Sequence, residues 1–174
     1  MSVIESPQIS ERPALLIDVD GVLRVIGSHP PMNWRPMPQM PKACFFYNPE
    51  HGIWIKELQR GADAYFMTAN VNQAYDIVGR PLDIPEIPWI NFEKFPRRDS
   101  DDNNIDRRAA VDHWFGGRAV AWIDDEFGPV DYAWAEERHA SGDPTLLVQP
   151  DMWQGLEYRH VHEIRQWLGA LATR

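Results

Sequence analysis

"LLIDVDGVL", residues 15–23, joins a short apolar run to two aspartates and a glycine. An apolar run without polar alternation is typical of a strand that is covered on both faces of a parallel sheet. Asp18 and Asp20 fall at the carboxyl end of this predicted strand, where open α/β sheets bind their ligands. Two carboxylates beside an apolar strand need a cation or hydrogen-bond donors. The stretch therefore predicts a central strand that ends in a functional loop.

Further apolar runs follow at intervals along the chain: "ADAYFMT" (62–68), "AVAWID" (119–124), "TLLV" (145–148) and the weaker "IPWI" (87–90). Helical patterns lie between or after them: "HGIWIKELQR", "NQAYDIVGR", "DRRAAVDHWF", "VDYAWAEERHA" and "LEYRHVHEIRQWLGALA". This alternation predicts a three-layer α/β fold, with a central, mostly parallel sheet and helices on both faces.

The chain is predicted to form one domain over residues 13–174, after a flexible lead-in at residues 1–12. Residues 24–44 contain five prolines, so we expect a flap or loop rather than a regular helix or central strand. Residues 91–104, "NFEKFPRRDSDDNN", are predicted to form a long charged loop.

Composition narrows the class of protein. The net charge of -9 argues against broad clamping of a nucleic-acid backbone, although a local basic site remains compatible with it. The single cysteine excludes an internal disulfide and favours a reducing compartment. Because we find neither a membrane-length apolar run nor a signal-peptide pattern, we expect a cytoplasmic protein that does not bind a membrane.

A second acidic group repeats the pattern of the first. In "AWIDDE" an apolar run ends in Asp124 and Asp125, followed by Glu126. If the two strands are adjacent, the carboxylates converge, and a shared hard cation such as Mg²⁺ is the simplest way to hold them together. The alternative is two independent turns with solvated carboxylates.

Thr68, at the end of another predicted strand, offers a hydroxyl to a phosphate oxygen, although threonine is also common at strand ends. A phosphate site also favours a fixed positive charge. Candidates precede the fourth strand: Lys94, Arg97, Arg98, Arg107 and Arg108. With Asp106 as N-cap, Arg107 and Arg108 fall in a first helical turn, where cations oppose the helix dipole. An anionic ligand would explain them, and two solvated arginines are the alternative.

In this order, the motifs resemble those of the haloacid dehalogenase (HAD) superfamily of phosphohydrolases. "DVDGVL" matches the motif DxDGxL, "FMTAN" resembles the second motif, and "WIDDE" matches the acidic fourth motif. Over about residues 13–168 the chain looks like the small HAD domains of bacteria and phages, a group that includes the HAD domains attached to RNA-repair proteins.

The resemblance implies a Rossmann-like HAD fold and Mg²⁺-dependent hydrolysis of a phosphomonoester. Asp18 would be the nucleophile that forms an aspartyl-phosphate, and Asp20 the general acid and base. Mg²⁺ would bind Asp18, the backbone carbonyl of Asp20, and Asp124, with Asp125 as a further or outer ligand.

Phosphate oxygens would be held by Thr68 and the adjoining Ala69, and by backbone amides near Asp20 and Gly21. The family's third motif is usually a lysine, whereas "DRRAAVDHWF" carries arginines in that neighbourhood. The candidates for this cation are Arg107, Arg108 and, from the charged loop, Lys94.

The gaps between motifs bear on the substrate. About 50 residues separate Asp18 from Thr68 and about 56 separate Thr68 from Asp124, so we expect no large cap domain. By resemblance, an open site admits a phosphorylated small molecule, a nucleotide or a nucleic-acid end, and no obligate protein partner is indicated. The competing hypothesis is a binding or regulatory protein that retains the fold but has little or no activity.

Overall fold

A computed structural model of the chain describes residues 3–4, 10–27, 30–38, 44–68, 75–90 and 107–173. The described strands are β1 (Val3–Ile4), β2 (Ala14–Ile17), β3 (Arg24–Ile26), β4 (Arg35–Pro36), β5 (Phe45–Tyr47), β6 (Asp63–Phe66), β7 (Trp89–Ile90), β8 (Val120–Ile123) and β9 (Thr145–Val148). The described helices are α1 (Glu50–Leu58), a π-helical turn (Tyr75–Gly79), α2 (Arg107–Phe115), α3 (Pro129–Ala140) and α4 (Tyr158–Ala172).

Six strands form one sheet in the order β1-β7-β6-β2-β8-β9, and each neighbouring pair is parallel. All four residues of β2 are fully buried, as expected for the central strand of such a sheet. The strands predicted from the apolar runs at 14–19, 62–68, 87–90, 119–124 and 145–148 are thus confirmed.

Helices pack on both faces of this mostly parallel sheet, so the chain has an α/β fold. Leu15 and Ile17 point into a core shared with α1 and α4, whereas Ala14 and Leu16 point into a second core that contains α2. Trp134 of α3 packs against that second core. Alternate residues of one buried strand therefore serve opposite faces.

A second, three-stranded antiparallel sheet in the order β3-β5-β4 lies in and beside the proline-rich segment. Residues 24–44, predicted as a flap or loop, therefore contribute two short strands. Pro36 is accommodated because β4 is an edge strand, which does not need every backbone N–H for pairing. Strands of two and three residues give too little pattern for a sequence-based prediction.

The described residues of the expected lead-in, 1–12, are attached to the domain. Val3 and Ile4 pair in parallel with Trp89 and Ile90. Ser10 donates to the Asp63 carboxylate over 2.7 Å. The charged loop predicted at 91–104 lies outside the described residues. Within the described part of the chain, no helix has both the length and the apolar character needed to cross a lipid bilayer.

Arg138 of α3 ties together the elements that carry the site. Its guanidinium lies 2.7 Å from the Asp112 carboxylate of α2 and donates to the carbonyls of Gly116 and Arg118 and to the Thr145 hydroxyl. The residue is buried, so these hydrogen bonds replace most of its hydration. Arg138 therefore fixes α2 and β9 relative to α3.

We predict that Arg138→Ala lowers the free energy of unfolding by about 2 kcal/mol or more, because it removes a buried guanidinium that donates to two carbonyls, a hydroxyl and a carboxylate. Urea denaturation monitored by tryptophan fluorescence measures the change. Arg159→Ala, which removes an exposed guanidinium paired with Glu157, is the matched control and should change stability by less than about 0.5 kcal/mol. Equal losses in the two variants would contradict this role of Arg138.

Candidate functional site

Three side chains from different strands meet at one edge of the parallel sheet. Ile17 of β2 is in register with Phe66 of β6 and with Ile123 of β8. Asp18 and Asp124 therefore leave adjacent strands at the same level. The Asp18 N–H donates to the carbonyl of Ile123 over 3.0 Å, which extends the pairing to the first aspartate. Thr68 follows β6 at the same edge. It is buried and lines a cavity together with Asp18.

A cluster of carboxylates results from this register. One oxygen from each of Asp18, Asp124 and Asp125 lies within 4.8 Å of the others. Asp18 and Asp124 retain only 8% and 1% of their exposure. Burial, and then the neighbouring Asp124 carboxylate, raises the pKa of Asp18 well above its ordinary value. Burial also raises the pKa of Asp124, although the Arg107 guanidinium opposes the shift. The cluster thus concentrates negative charge where water solvates it poorly.

Arg107, at the start of α2, supplies a positive charge to this cluster. One guanidinium nitrogen forms a short hydrogen-bonded ion pair with the Asp124 carboxylate, and another lies 3.7 Å from Glu126. Burial alone would lower the pKa of Arg107, but the carboxylates of Asp124 and Asp18 outweigh it and raise the pKa. Among the described residues, Arg107 is thus the predicted cation that lies beside the carboxylate cluster. Lys94 and Ala69, which are also predicted to contact phosphate, lie outside the described residues.

Arg108 differs from its neighbour, although both were predicted to contact phosphate. Its guanidinium is buried and lies 3.5 Å from the Asp131 carboxylate of α3, and it does not line the cavity at Asp18. Successive helical residues point about 100° apart. When Arg107 faces the sheet edge, Arg108 therefore faces the neighbouring helix.

Asp20 lines the cavity, but its side chain is not one of the three clustered carboxylates. It accepts a hydrogen bond of 2.6 Å from Nε of Arg24, and Nη2 of the same buried guanidinium lies 2.5 Å away. A role of Asp20 in metal binding would therefore rest on its backbone carbonyl. Arg24 holds the Asp20 carboxylate in a defined orientation beside Asp18.

Gly21 makes the approach of Asp125 sterically feasible. Its φ is +74°, and a Cβ at this position would lie 2.3 Å from Cγ of Asp125. Its N–H donates to the carbonyl of Arg24 over 2.8 Å, because residues 19–24 form a tight turn. The Gly21 amide, which is predicted to contact phosphate, is used inside this turn, and the missing side chain of Gly21 leaves room for Asp125.

The site opens into a cavity of about 310 Å³. Its lining is polar at Asp18, Asp20, Thr68, Arg107, Asp125 and Glu126. One wall is apolar and consists of Ile26, Met152 and Trp153. Sequence reasoning missed this wall. A signal was present, since residues 152 and 153 follow β9, whose carboxyl end lies at the same edge of the sheet as that of β8.

The ligands available suit a hard divalent cation. Within the described residues, the only group of metal-ligating side chains that comes together is Asp18, Asp124 and Asp125. Three carboxylates without imidazole or thiolate favour Mg²⁺ or a similar oxygen-seeking ion over zinc. The mutual repulsion of these carboxylates is what such an ion relieves.

No protein-family model, curated protein or solved structure matches this chain. The resemblance to HAD phosphohydrolases therefore rests on the quoted motifs of this sequence.

We predict that Gly21→Ala destabilises the protein by at least about 2 kcal/mol, because the added methyl must displace Asp125 and the backbone is held at positive φ. Gly116→Ala is the matched control. Gly116 also has positive φ, but a Cβ there meets no atom within 4 Å, so only the backbone strain of about 1 kcal/mol is expected. Chemical denaturation of both variants measures the difference, and equal losses would show that Asp125 does not approach Gly21.

A second prediction concerns the repulsion within the cluster. Burial, followed by the charges of Asp124 and Glu126, raises the pKa of Asp125 to about 6. A folded-state pKa above the unfolded value means that ionisation opposes folding, so the destabilisation grows as the pH rises through about 6. Without metal, Asp125→Asn should therefore stabilise the protein at pH 8 by about 1 kcal/mol, after allowance for solvent screening.

Denaturation in EDTA and in Mg²⁺, for wild type and Asp125→Asn, measures this effect. A ligand stabilises the state that binds it. Mg²⁺ should therefore stabilise the wild type more than the variant, because the variant lacks one of the three clustered carboxylates. Glu163→Gln, which removes an exposed charge on α4, should match the wild type both in its stability in EDTA and in its stabilisation by Mg²⁺. A variant less stable than the wild type in EDTA at pH 8 would contradict the repulsion.

Proposed function

We propose that the protein is a HAD-like, Mg²⁺-dependent phosphomonoester hydrolase that acts through an aspartyl-phosphate on Asp18. The observation that carries this proposal is the convergence of Asp18, Asp124 and Asp125 at the carboxyl edge of a parallel sheet, beside Arg107. This arrangement provides a nucleophile, a cation site and a fixed positive charge on one side of a cavity. The parallel sheet with helices on both faces is compatible with the Rossmann-like HAD fold that the motifs imply.

Asp18, Asp124 and Asp125, together with the backbone carbonyl of Asp20, would hold the Mg²⁺ ion. When bound, the ion supplies positive charge that neutralises the carboxylates and the negative charge of the phosphoryl oxygens.

The chain's own residues would divide the chemistry as follows. A carboxylate oxygen of Asp18 attacks phosphorus, and the bond from phosphorus to the substrate's ester oxygen breaks. Protonated Asp20 gives its proton to that leaving oxygen, which departs as an alcohol. The Asp20 carboxylate then takes a proton from water, which attacks phosphorus, releases inorganic phosphate and restores Asp18.

Other groups would position the substrate. The Thr68 hydroxyl and the Arg107 guanidinium line the cavity and would donate hydrogen bonds to phosphoryl oxygens. Arg24, buried against Asp20, would keep the acid–base carboxylate directed towards the ester oxygen. The resemblance to HAD domains of RNA-repair proteins suggests nucleotide or nucleic-acid-end phosphates as substrates.

One observation favours the second candidate, a binding protein without turnover. Arg107 already pairs with Asp124, and the other Asp124 oxygen accepts the Glu126 N–H over 3.0 Å. A guanidinium that neutralises this carboxylate lessens the need for a metal ion. Such a protein would bind a phosphorylated ligand through Arg107 and Thr68 and leave the ester intact.

We predict that Asp18→Asn reduces Mg²⁺-dependent phosphate release by at least about 1,000-fold, because the amide is not a competent nucleophile. Arg107→Ala should reduce the rate by about 100-fold, the usual effect of removing one donor to a reacting oxyanion. Arg108→Ala is the matched control and should stay within about fivefold of the wild type, since its partner is Asp131.

Release of inorganic phosphate from p-nitrophenyl phosphate, nucleotides and phosphorylated oligonucleotides, with Mg²⁺ and with EDTA, measures these rates. Activity that survives Asp18→Asn would overturn the assignment of Asp18 as the nucleophile. A wild type that binds phosphorylated ligands but hydrolyses none would establish the second candidate instead.

A further inference from the structure

We infer that Ile26, Met152 and Trp153, hereafter the apolar wall, form a subsite for a flat, uncharged ring in the leaving group of the phosphomonoester. The most suitable substrate is then a nucleoside monophosphate. The inference rests on the proposed function, since the ring is placed relative to a phosphate at Asp18.

The apolar wall belongs to the same cavity as the carboxylate cluster. Its three side chains line the cavity together with Asp18, Thr68 and Arg107. Each is about half exposed, with Trp153 at 57%, although large apolar side chains elsewhere in the domain are mostly buried. An exposed tryptophan in the same cavity as several polar side chains is typical of ligand sites, where apolar surface supplies binding energy and a few polar groups orient the ligand.

The turn that carries Met152 and Trp153 of the apolar wall is held by its own hydrogen bonds before any ligand binds. The Asp151 carboxylate accepts the Trp153 N–H over 2.8 Å, and the Asp151 carbonyl accepts the N–H groups of Gln154 and Gly155. Gly155 has φ of +65° and packs against Trp34, so that a Cβ there would lie 2.6 Å from the indole. A fixed turn lowers the entropy lost when a ring binds to Trp153.

The same turn is joined directly to the catalytic loop. Leu156 donates its N–H to the carbonyl of Val22, one residue beyond Gly21, over 2.8 Å. Nε2 of His51 lies 2.9 Å from the Leu156 carbonyl and donates to it. Burial lowers the pKa of His51 to about 4, so the ring stays neutral at physiological pH. These contacts set the distance between the apolar wall and Asp18.

The charge of the cavity determines which ring is suitable. Four carboxylates line it, from Asp18, Asp20, Asp125 and Glu126, against one guanidinium. A bound Mg²⁺ ion and one phosphate dianion leave that excess negative. Additional phosphates near the reacting one are therefore repelled, whereas a neutral base stacked on Trp153 is not. A cavity of about 310 Å³ is at the small end for ligand sites, which favours a mononucleotide over a polymer end.

The test compares adenosine 5′-monophosphate with ribose 5-phosphate, whose leaving groups are both primary alcohols of similar intrinsic reactivity. In the wild type, kcat/KM should be at least about 10-fold higher for the nucleotide, as expected for one stacked base. Trp153→Ala and Trp153→Leu should bring the ratio close to one, and Trp153→Phe should keep most of it. Tyr158→Ala, which truncates an equally exposed aromatic outside the cavity, should preserve the ratio.

The outcomes separate this inference from the proposed function. A wild-type ratio near one, or a Trp153→Ala ratio equal to that of the wild type, would overturn the subsite while hydrolysis stands. A higher kcat/KM for a 5′-phosphorylated oligonucleotide than for the mononucleotide would overturn the preference for a mononucleotide. If no phosphomonoester is hydrolysed, titration calorimetry with both ligands decides: at least about 10-fold tighter binding of the nucleotide, lost in Trp153→Ala, supports the subsite, and equal affinities overturn it.

Discussion

The repulsion between carboxylates at the edge of the parallel sheet is the constraint on which the rest of the site depends. Pairing of β2 with β8 sets Asp18 beside Asp124, and both lie where the surrounding core excludes water. The raised pKa values of Asp18, Asp124 and Asp125 express the unfavourable energy of this arrangement. A fold that only required a stable sheet would gain by replacing these groups. Concentrated negative charge of this kind is what the metal-dependent function proposed above requires.

The neighbouring elements place cationic side chains and a glycine beside these carboxylates. Because α2 runs back from the edge that carries the acidic residues to the start of β8, its first turn brings Arg107 to Asp124. Cations at a helix N-terminus are otherwise disfavoured by the helix dipole. Gly21 permits Asp125 to close on the catalytic turn, and Arg24 neutralises Asp20 within that turn. Each carboxylate thus has a distinct environment, as the separate roles proposed for Asp18 and Asp20 require.

Local patterns in the sequence were sufficient for the acidic residues and for the described strands of the parallel sheet other than β1, which lies in the segment predicted as a lead-in. Apolar runs identify β2, β6, β8 and β9, and the register of parallel strands brings Asp18 and Asp124 together. The sequence did not reveal whether Arg107 or Arg108 lies beside the carboxylate cluster, because this depends on the rotation of α2 about its axis and on Asp131 of another helix. The apolar wall was missed for a similar reason. The sequence does not distinguish Trp153 from the other tryptophans. Its turn lies beside the loop after β2 because Leu156 contacts Val22, and this contact is visible only in the structure.

The central claim is that Asp18 accepts the phosphoryl group. It is tested most directly by quenching the enzyme in acid during turnover, reducing acyl-phosphates with borohydride and locating the product by peptide mass spectrometry. The account predicts homoserine at position 18, formed only when both Mg²⁺ and a phosphomonoester are present. Phosphate release with no modification at position 18, or with the modification at another carboxylate, would contradict it.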